Sequence, residues 1–101
     1  MNAGLTSLKI LRVSDNKLTS LPMAVGMMVQ LKQLEADGNR LTTLPESIGL
    51  LTELERLNLC ENALETLPES IGALSSVVHL LLSGNKIEVL PATIEGSVSM
   101  F

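Results

Sequence analysis

LKQLEADGNRLTTLPESIGLLTE, residues 31–53, is one period of a beat that runs through almost the whole chain. Asn16, Asn39, Asn62 and Asn85 stand 23 residues apart. Ahead of them run the columns Leu8, Leu31, Leu54, Val77, then Leu11, Leu34, Leu57, Leu80, then Val13, Ala36, Leu59, Leu82. Behind them come Leu18, Leu41, Leu64, Ile87 and then Leu21, Leu44, Leu67, Leu90, each of the last set followed by a proline. Val25, Ile48, Ile71 and Ile94 form a further apolar column, Gly26, Gly49 and Gly72 a glycine column, and Leu5, Met28, Leu51 and Leu74 the last. The unit is L-x-x-L-x-L-x-x-N-x-L-x-x-L-P-x-x-I-G-x-L. Repetition at this period means stacked supersecondary units, which build an extended surface rather than a catalytic pocket.

Leu11 and Val13, like Leu57 and Leu59, alternate with polar neighbours, the period-two pattern of a strand with one buried face. Each repeat supplies one such strand. The long return between strands forces them to stack in parallel, because only a tight turn brings a neighbour back antiparallel. The leucines fill a continuous core. Each asparagine follows its strand, where a side chain with both donor and acceptor satisfies turning backbone amides, so Asn16, Asn39, Asn62 and Asn85 are read as structural. Proline opens the return and suits a first helical position or an extended turn, so that side is expected to be irregular or a single short helical turn. Glu46 and Glu69, just after their prolines, either complement the positive end of such a turn or are simply solvated.

The pattern resembles the leucine-rich repeats over residues 3–94. Its second half, Leu44-Pro45-Glu46-Ser47-Ile48-Gly49-Leu50-Leu51, is similar to the intracellular 23-residue class of Scribble- and Erbin-type scaffolds, Ras-suppressor-type adaptors and plant intracellular Ras-group-related repeat proteins. The resemblance implies an α/β solenoid: a curved right-handed leucine-rich-repeat stack with short parallel strands on the concave face and irregular or short helical convex segments. It implies a non-catalytic protein-interaction scaffold in cytoplasmic signalling. Two alternatives stand beside it: a fragment of a larger signalling protein, such as a repeat-bearing kinase or GTPase with its chemistry elsewhere, and a structural spacer. One domain spans residues 1–101, with repeats near 5–27, 28–50, 51–73 and 74–96, and residues 97–101 as a degenerate end or the start of a fifth repeat.

Alternation assigns the outward positions. Ile10, Gln33, Arg56 and His79 form one row across the strands, Arg12, Glu35, Asn58 and Leu81 the next, and Ser14, Asp37, Cys60 and Ser83 the third. The expected partner-binding residues are Arg12, Ser14, Gln33, Glu35, Asp37, Arg56, Asn58, Cys60, His79 and Leu81. Strands about 4.8 Å apart set Arg12 opposite Glu35 and Glu35 diagonal to Arg56, pairs that contribute about 0.2–1 kcal/mol each.

Neither catalysis nor a cofactor is expected. Cys60 and His79, the candidate nucleophile and base, fall four ladder positions apart, about 13 Å along the strands and beyond hydrogen-bond reach. One His and one Cys cannot close a tetrahedral metal set, and no spaced Asp/Asn loop for calcium is present. Gly84-Asn85-Lys86 lacks the upstream glycine of a phosphate loop.

The chain has 101 residues, a net charge of -4, no Trp or Tyr and one Phe. That balance disfavours nucleic acid, which rewards basic grooves and aromatic stacking. Residues 1–45 sum to +2 and residues 46–101 to -6, a gradient that either orients a partner or is an ordinary solvated surface. No basic stretch leads into an apolar core, so neither a signal peptide nor membrane insertion is expected. A single cysteine points to a reducing compartment. The partner expected is another protein, with self-association through exposed strand edges as a second contact.

The ends break the pattern. Ile94-Glu95-Gly96-Ser97-Val98 slips one residue against Ile71-Gly72-Ala73-Leu74, setting Phe101 after Val98 as Val77 follows Leu74. Either the chain is a piece of a longer repeat protein, or Val98, Met100 and Phe101 fold back as a lid. In the first repeat, Met23 and Met27 replace charged or aliphatic residues and either form an adaptable patch or fill gaps beside the N-terminal edge, while Met28 is a core position.

Overall fold

The computed structural model describes residues 6–92 and the backbone of residues 99–100. Five short strands, β1 (Ile10–Arg12), β2 (Gln33–Glu35), β3 (Arg56–Asn58), β4 (His79–Leu81) and β5 (Ser99–Met100), form one parallel sheet in sequence order. From β1 to β4 the register steps by the repeat: Ile10, Gln33, Arg56 and His79 stand side by side, as do Leu11, Leu34, Leu57 and Leu80. Ladder bonds run on past the strands, from Val13 N to Glu35 O (2.8 Å), Ala36 N to Asn58 O (2.9 Å) and Leu59 N to Leu81 O (2.9 Å).

Inward positions make the core. Leu31, Leu34, Ala36, Leu41, Ile48, Leu51, Leu54, Leu57, Leu59 and Leu64 have no exposed surface. All lie in the middle of the stack, where each unit is covered on both sides. Their counterparts toward the ends, Leu8, Leu11, Val13 and Leu18 on one side and Leu82, Ile87 and Leu90 on the other, are half-buried against that core. A fully buried leucine contributes about 1.5–3 kcal/mol, so the second and third repeats hold most of the stability.

The asparagines tie the units together. Asn39 accepts at Oδ1 from the backbone N–H groups of Asn16 and Leu18, both at 2.9 Å, and its amide donates to Val13 O (2.9 Å) and Ala36 O (3.0 Å). Asn62 repeats the pattern with Leu41 N, Ala36 O and Leu59 O, and Asn85 with Leu64 N, Leu59 O and Leu82 O. Each side chain therefore satisfies the turn of the preceding repeat as well as its own. The side chain of Asn16, the first of the column, makes only a local bond to Ser14 O among the described residues and is exposed.

The three returns between β1 and β4 contain one 3-10 turn apiece: η1 (Met23–Met27), η2 (Glu46–Leu50) and η3 (Glu69–Ala73). Pro22, Pro45 and Pro68 stand just outside them in extended conformation rather than at the first helical position. Glu46 and Glu69 occupy the first turns of η2 and η3. The glycine column lies where neighbouring turns touch: a Cβ at Gly26 would sit 2.7 Å from Ser47 O, and one at Gly49 2.6 Å from Ser70 O. Met23 and Met27 do not fill gaps in the core; they are 70% and 41% exposed, while Met28 packs against it.

A column absent from the sequence reading sits just before the asparagines. Asp15, Gly38, Glu61 and Gly84 all have positive φ (57°, 70°, 56° and 74°), so the chain leaves each of β1 to β4 through a left-handed residue. Left-handed backbone costs a side-chain-bearing residue about 1–2 kcal/mol, and Gly is free of that cost. Glu61→Gly is therefore expected to stabilise the fold by about 0.5–1 kcal/mol, read as a higher urea midpoint. Glu61→Ala should not, and if it stabilises equally the backbone is not the cause.

The fifth strand departs from the beat. Ser99 pairs with His79 and Met100 with Leu80, so the last return is shorter than the others and Met100 enters the Leu80 column, whereas the sequence reading set Phe101 in the Val77 column. Ladder bonds are made by backbone and tolerate the shift once the apolar columns lapse. The lid of Val98, Met100 and Phe101, and the slip at Glu95, lie outside the residues whose side chains are described.

Candidate functional site

The outward side of β1 to β4 presents the ten expected residues as a continuous face. In the first row Ile10 is 42% exposed, Gln33 and Arg56 are half-buried and His79 is exposed; in the second, Arg12 is exposed and Glu35, Asn58 and Leu81 are half-buried. Ser14, Asp37 and Cys60 follow where the strands end, half-buried. Ile10 lies outside the ten but shares their surface. Its exposure follows from the first-row position, which the alternation already gave.

Two hydrogen-bonded groups fix the middle of this face. The Glu35 carboxylate accepts from Arg56 Nε at 2.9 Å and from Asn58 Nδ2 at 3.2 Å, and the Asn58 carbonyl oxygen accepts from Cys60 N at 3.1 Å. Beside it, Ser14 Oγ donates to Asp37 Oδ1 at 2.6 Å, and Ser83 Oγ donates to Cys60 Sγ at 3.2 Å. The expected Arg12–Glu35 pair is not made, although the two are in register. Both oxygens of Glu35 turn toward β3, where an arginine and an amide together outbid a lone exposed guanidinium. Arg12, Gln33 and His79 have no side-chain partner among the described residues.

The chemistry of the face is hydrogen bonding. Arg56 pairs with His79 across the ladder, which sets Cys60 four positions from His79 along the strands. Among the described residues no three His, Cys, Asp or Glu side chains are grouped to hold a metal ion. Among the described residues no helix is long and apolar enough to cross a membrane. Lys32, at the entrance to β2, lies 3.6 Å from both Glu53 and Glu55 on the flank of the face.

Residues 30–87 match the model of the family described as leucine rich repeat, and residues 7–28 match a second leucine rich repeat model. The chain belongs to the leucine-rich repeat family. Among solved structures, this leucine-rich repeat chain is similar to a leucine-rich repeat protein of Leptospira interrogans, at 38% identity and a TM-score of 0.88, over 93% of this chain and 24% of that one. It is also similar to the leucine-rich repeat domain of a Shigella effector, at 32% identity and a TM-score of 0.71, over 84% of this chain and 35% of that one. The chain thus spans between a quarter and about a third of the proteins it matches. No curated protein matches it. Leucine-rich repeat domains generally mediate protein–protein interaction and are typically non-catalytic.

Within the leucine-rich repeat frame, the sequence reading missed how the acids of the left-handed column are placed. The Asp15 carboxylate lies over Gly38 and the Glu61 carboxylate over Gly84, in the space a Cβ would take. Acid and glycine thus alternate along this rim of the sheet. A clue was present in the alternation Asp, Gly, Glu, Gly one place before each asparagine.

Proposed function

We propose that this chain is a non-catalytic interaction scaffold that binds a partner protein across its sheet face, the concave side of the stack, in cytoplasmic signalling. Contact is made through Arg12, Ser14, Gln33, Glu35, Asp37, Arg56, Asn58, Cys60, His79 and Leu81. One observation carries this reading: the face combines a pre-organised centre with unengaged donors at its edges. Glu35 is held by Arg56 and Asn58, and Asp37 by Ser14, so binding costs little of their conformational freedom. Arg12, Gln33 and His79 extend from the same surface with no partner among the described residues. The 23-residue register of β1 to β4 supports membership of the intracellular class, and the single cysteine, bonded to Ser83, supports a reducing compartment.

The test is photo-crosslinking in extract with a photoreactive amino acid at Gln33 or His79, compared with Thr52 or Ser75 on exposed parts of the returns. Adducts to the same protein from both sheet positions and from neither return position are expected. Adducts only from the returns would move the binding surface, and none from any position would favour a spacer.

A further inference from the structure

The sheet face is formally neutral in its Asp, Glu, Lys and Arg residues, with Arg12 and Arg56 against Glu35 and Asp37, yet what it offers a partner is not neutral. Three of its four carboxylate oxygens already accept a hydrogen bond from the same face. Glu35 spends one oxygen on Arg56 Nε and the other on Asn58 Nδ2, and Asp37 Oδ1 receives the Ser14 hydroxyl at 2.6 Å. The donors remain open. Arg12 and His79 are exposed with no partner among the described residues, as is Lys9 just before β1, and Arg56 engages Glu35 through Nε, leaving its terminal nitrogens for a ligand. Gln33, between Arg56 and Ile10 in the first row, adds a free amide.

The other described acids lie off this face. Glu46 and Glu69 open the 3-10 turns on the return side, Glu53 and Glu55 flank Lys32, Asp15 lies on the rim over Gly38, and Glu61, Glu65 and Glu88 are exposed beyond the strands. The acids nearest the face are turned to other partners, Glu53 and Glu55 to Lys32 and Asp15 over Gly38, so the open donors, rather than the total charge, decide which ligand the face accepts.

We infer that the sheet face takes an acidic segment of its protein partner, with carboxylates seated on Arg12 and Arg56. This rests on the sheet face being the binding surface. A guanidinium holds a carboxylate through two parallel N–H bonds, a geometry that the compact ammonium of lysine lacks. Arg12 on β1 and Arg56 on β3 are two strands apart and offset by two residues along them, about 12 Å in all, which an extended chain covers in about four residues. A short glutamate-rich stretch therefore reaches both arginines at once. Exposed Ile10, beside Arg12, gives its methylene groups an apolar floor.

The experiment uses dye-labelled hexaglutamate, hexaglutamine and hexalysine peptides, titrated with the whole chain and followed by fluorescence anisotropy. Hexaglutamate is expected to bind tightest and to weaken as salt rises. Arg12→Glu should weaken it at least tenfold, with unchanged thermal unfolding because Arg12 is exposed and unbonded. Lys86→Glu, the same charge change in an exposed residue past the last described strand–turn junction, should alter it less than twofold. Hexalysine or hexaglutamine binding as tightly as hexaglutamate overturns the inference, as does hexaglutamate binding that ignores Arg12→Glu. Should that happen while Gln33 and His79 still crosslink, the acidic ligand is wrong and the binding face stands. Crosslinks confined to the returns remove the face itself.

Discussion

Asn39→Ala is expected to cost about 3–5 kcal/mol of stability, whereas Asn16→Ala, in the same column of the repeat, is expected to cost less than about 1 kcal/mol. Asn39 is 7% exposed and bridges two units. Alanine there orphans the N–H groups of Asn16 and Leu18 and removes a donor from Val13 O and Ala36 O. Each unsatisfied buried group costs about 1–3 kcal/mol, and partial rehydration near the first repeat keeps the sum below the total of four. The Asn16 side chain makes only the bond to Ser14 O among the described residues and is exposed, so water replaces what is lost. Since domains of ordinary stability have about 5–15 kcal/mol in all, the Asn39 variant should unfold at much lower urea. Equal losses at the two positions would mean that the asparagines act through local turn preference and not by joining repeats.

That contrast marks what the sequence made legible and what it did not. The columns gave the strand register of β1 to β4 residue for residue, since a one-place slip would turn every leucine outward and the repeat leaves no second choice. They also gave which side chains share the sheet face. The destination of each side chain was harder. Arg12 stands directly opposite Glu35 and Arg56 only diagonally, yet Glu35 turns to Arg56 beside Asn58, whose amide draws the second oxygen to the same side. The asparagines read as local turn formers, but their amides reach into the previous repeat, a contact made only once units stack. The left-handed column stayed hidden because Asp15 and Glu61 alternate with the glycines that would have announced it. Beyond Ile94 the columns slip, and with them goes the guide to register: β5 pairs three residues ahead of the 23-residue beat.

Gly49→Ala is expected to destabilise the chain by about 3 kcal/mol, near the upper end of the usual cost of overpacking. A Cβ at this position would lie 2.6 Å from the backbone oxygen of Ser70 and 2.9 Å from its Cβ. Neither atom is the free end of a flexible side chain, so η2 and η3 would have to move apart, loosening Ile48 and Ile71 beneath them. Gly84→Ala is the informative comparison. There the nearest obstacle is the Glu61 carboxylate, which can swing away, and the cost reduces to the strain of φ +74°, about 1–2 kcal/mol. Leu50→Ala, at a residue 60% exposed on the same turn, should cost less than about 0.5 kcal/mol, as surface substitutions usually do. The order Gly49→Ala, Gly84→Ala, Leu50→Ala in falling cost, measured by urea unfolding, follows from whether the obstacle is backbone, a mobile carboxylate or solvent. A Gly49→Ala variant as stable as the Leu50→Ala variant would mean that the turns are free to separate, and that the glycine column is not what sets their spacing.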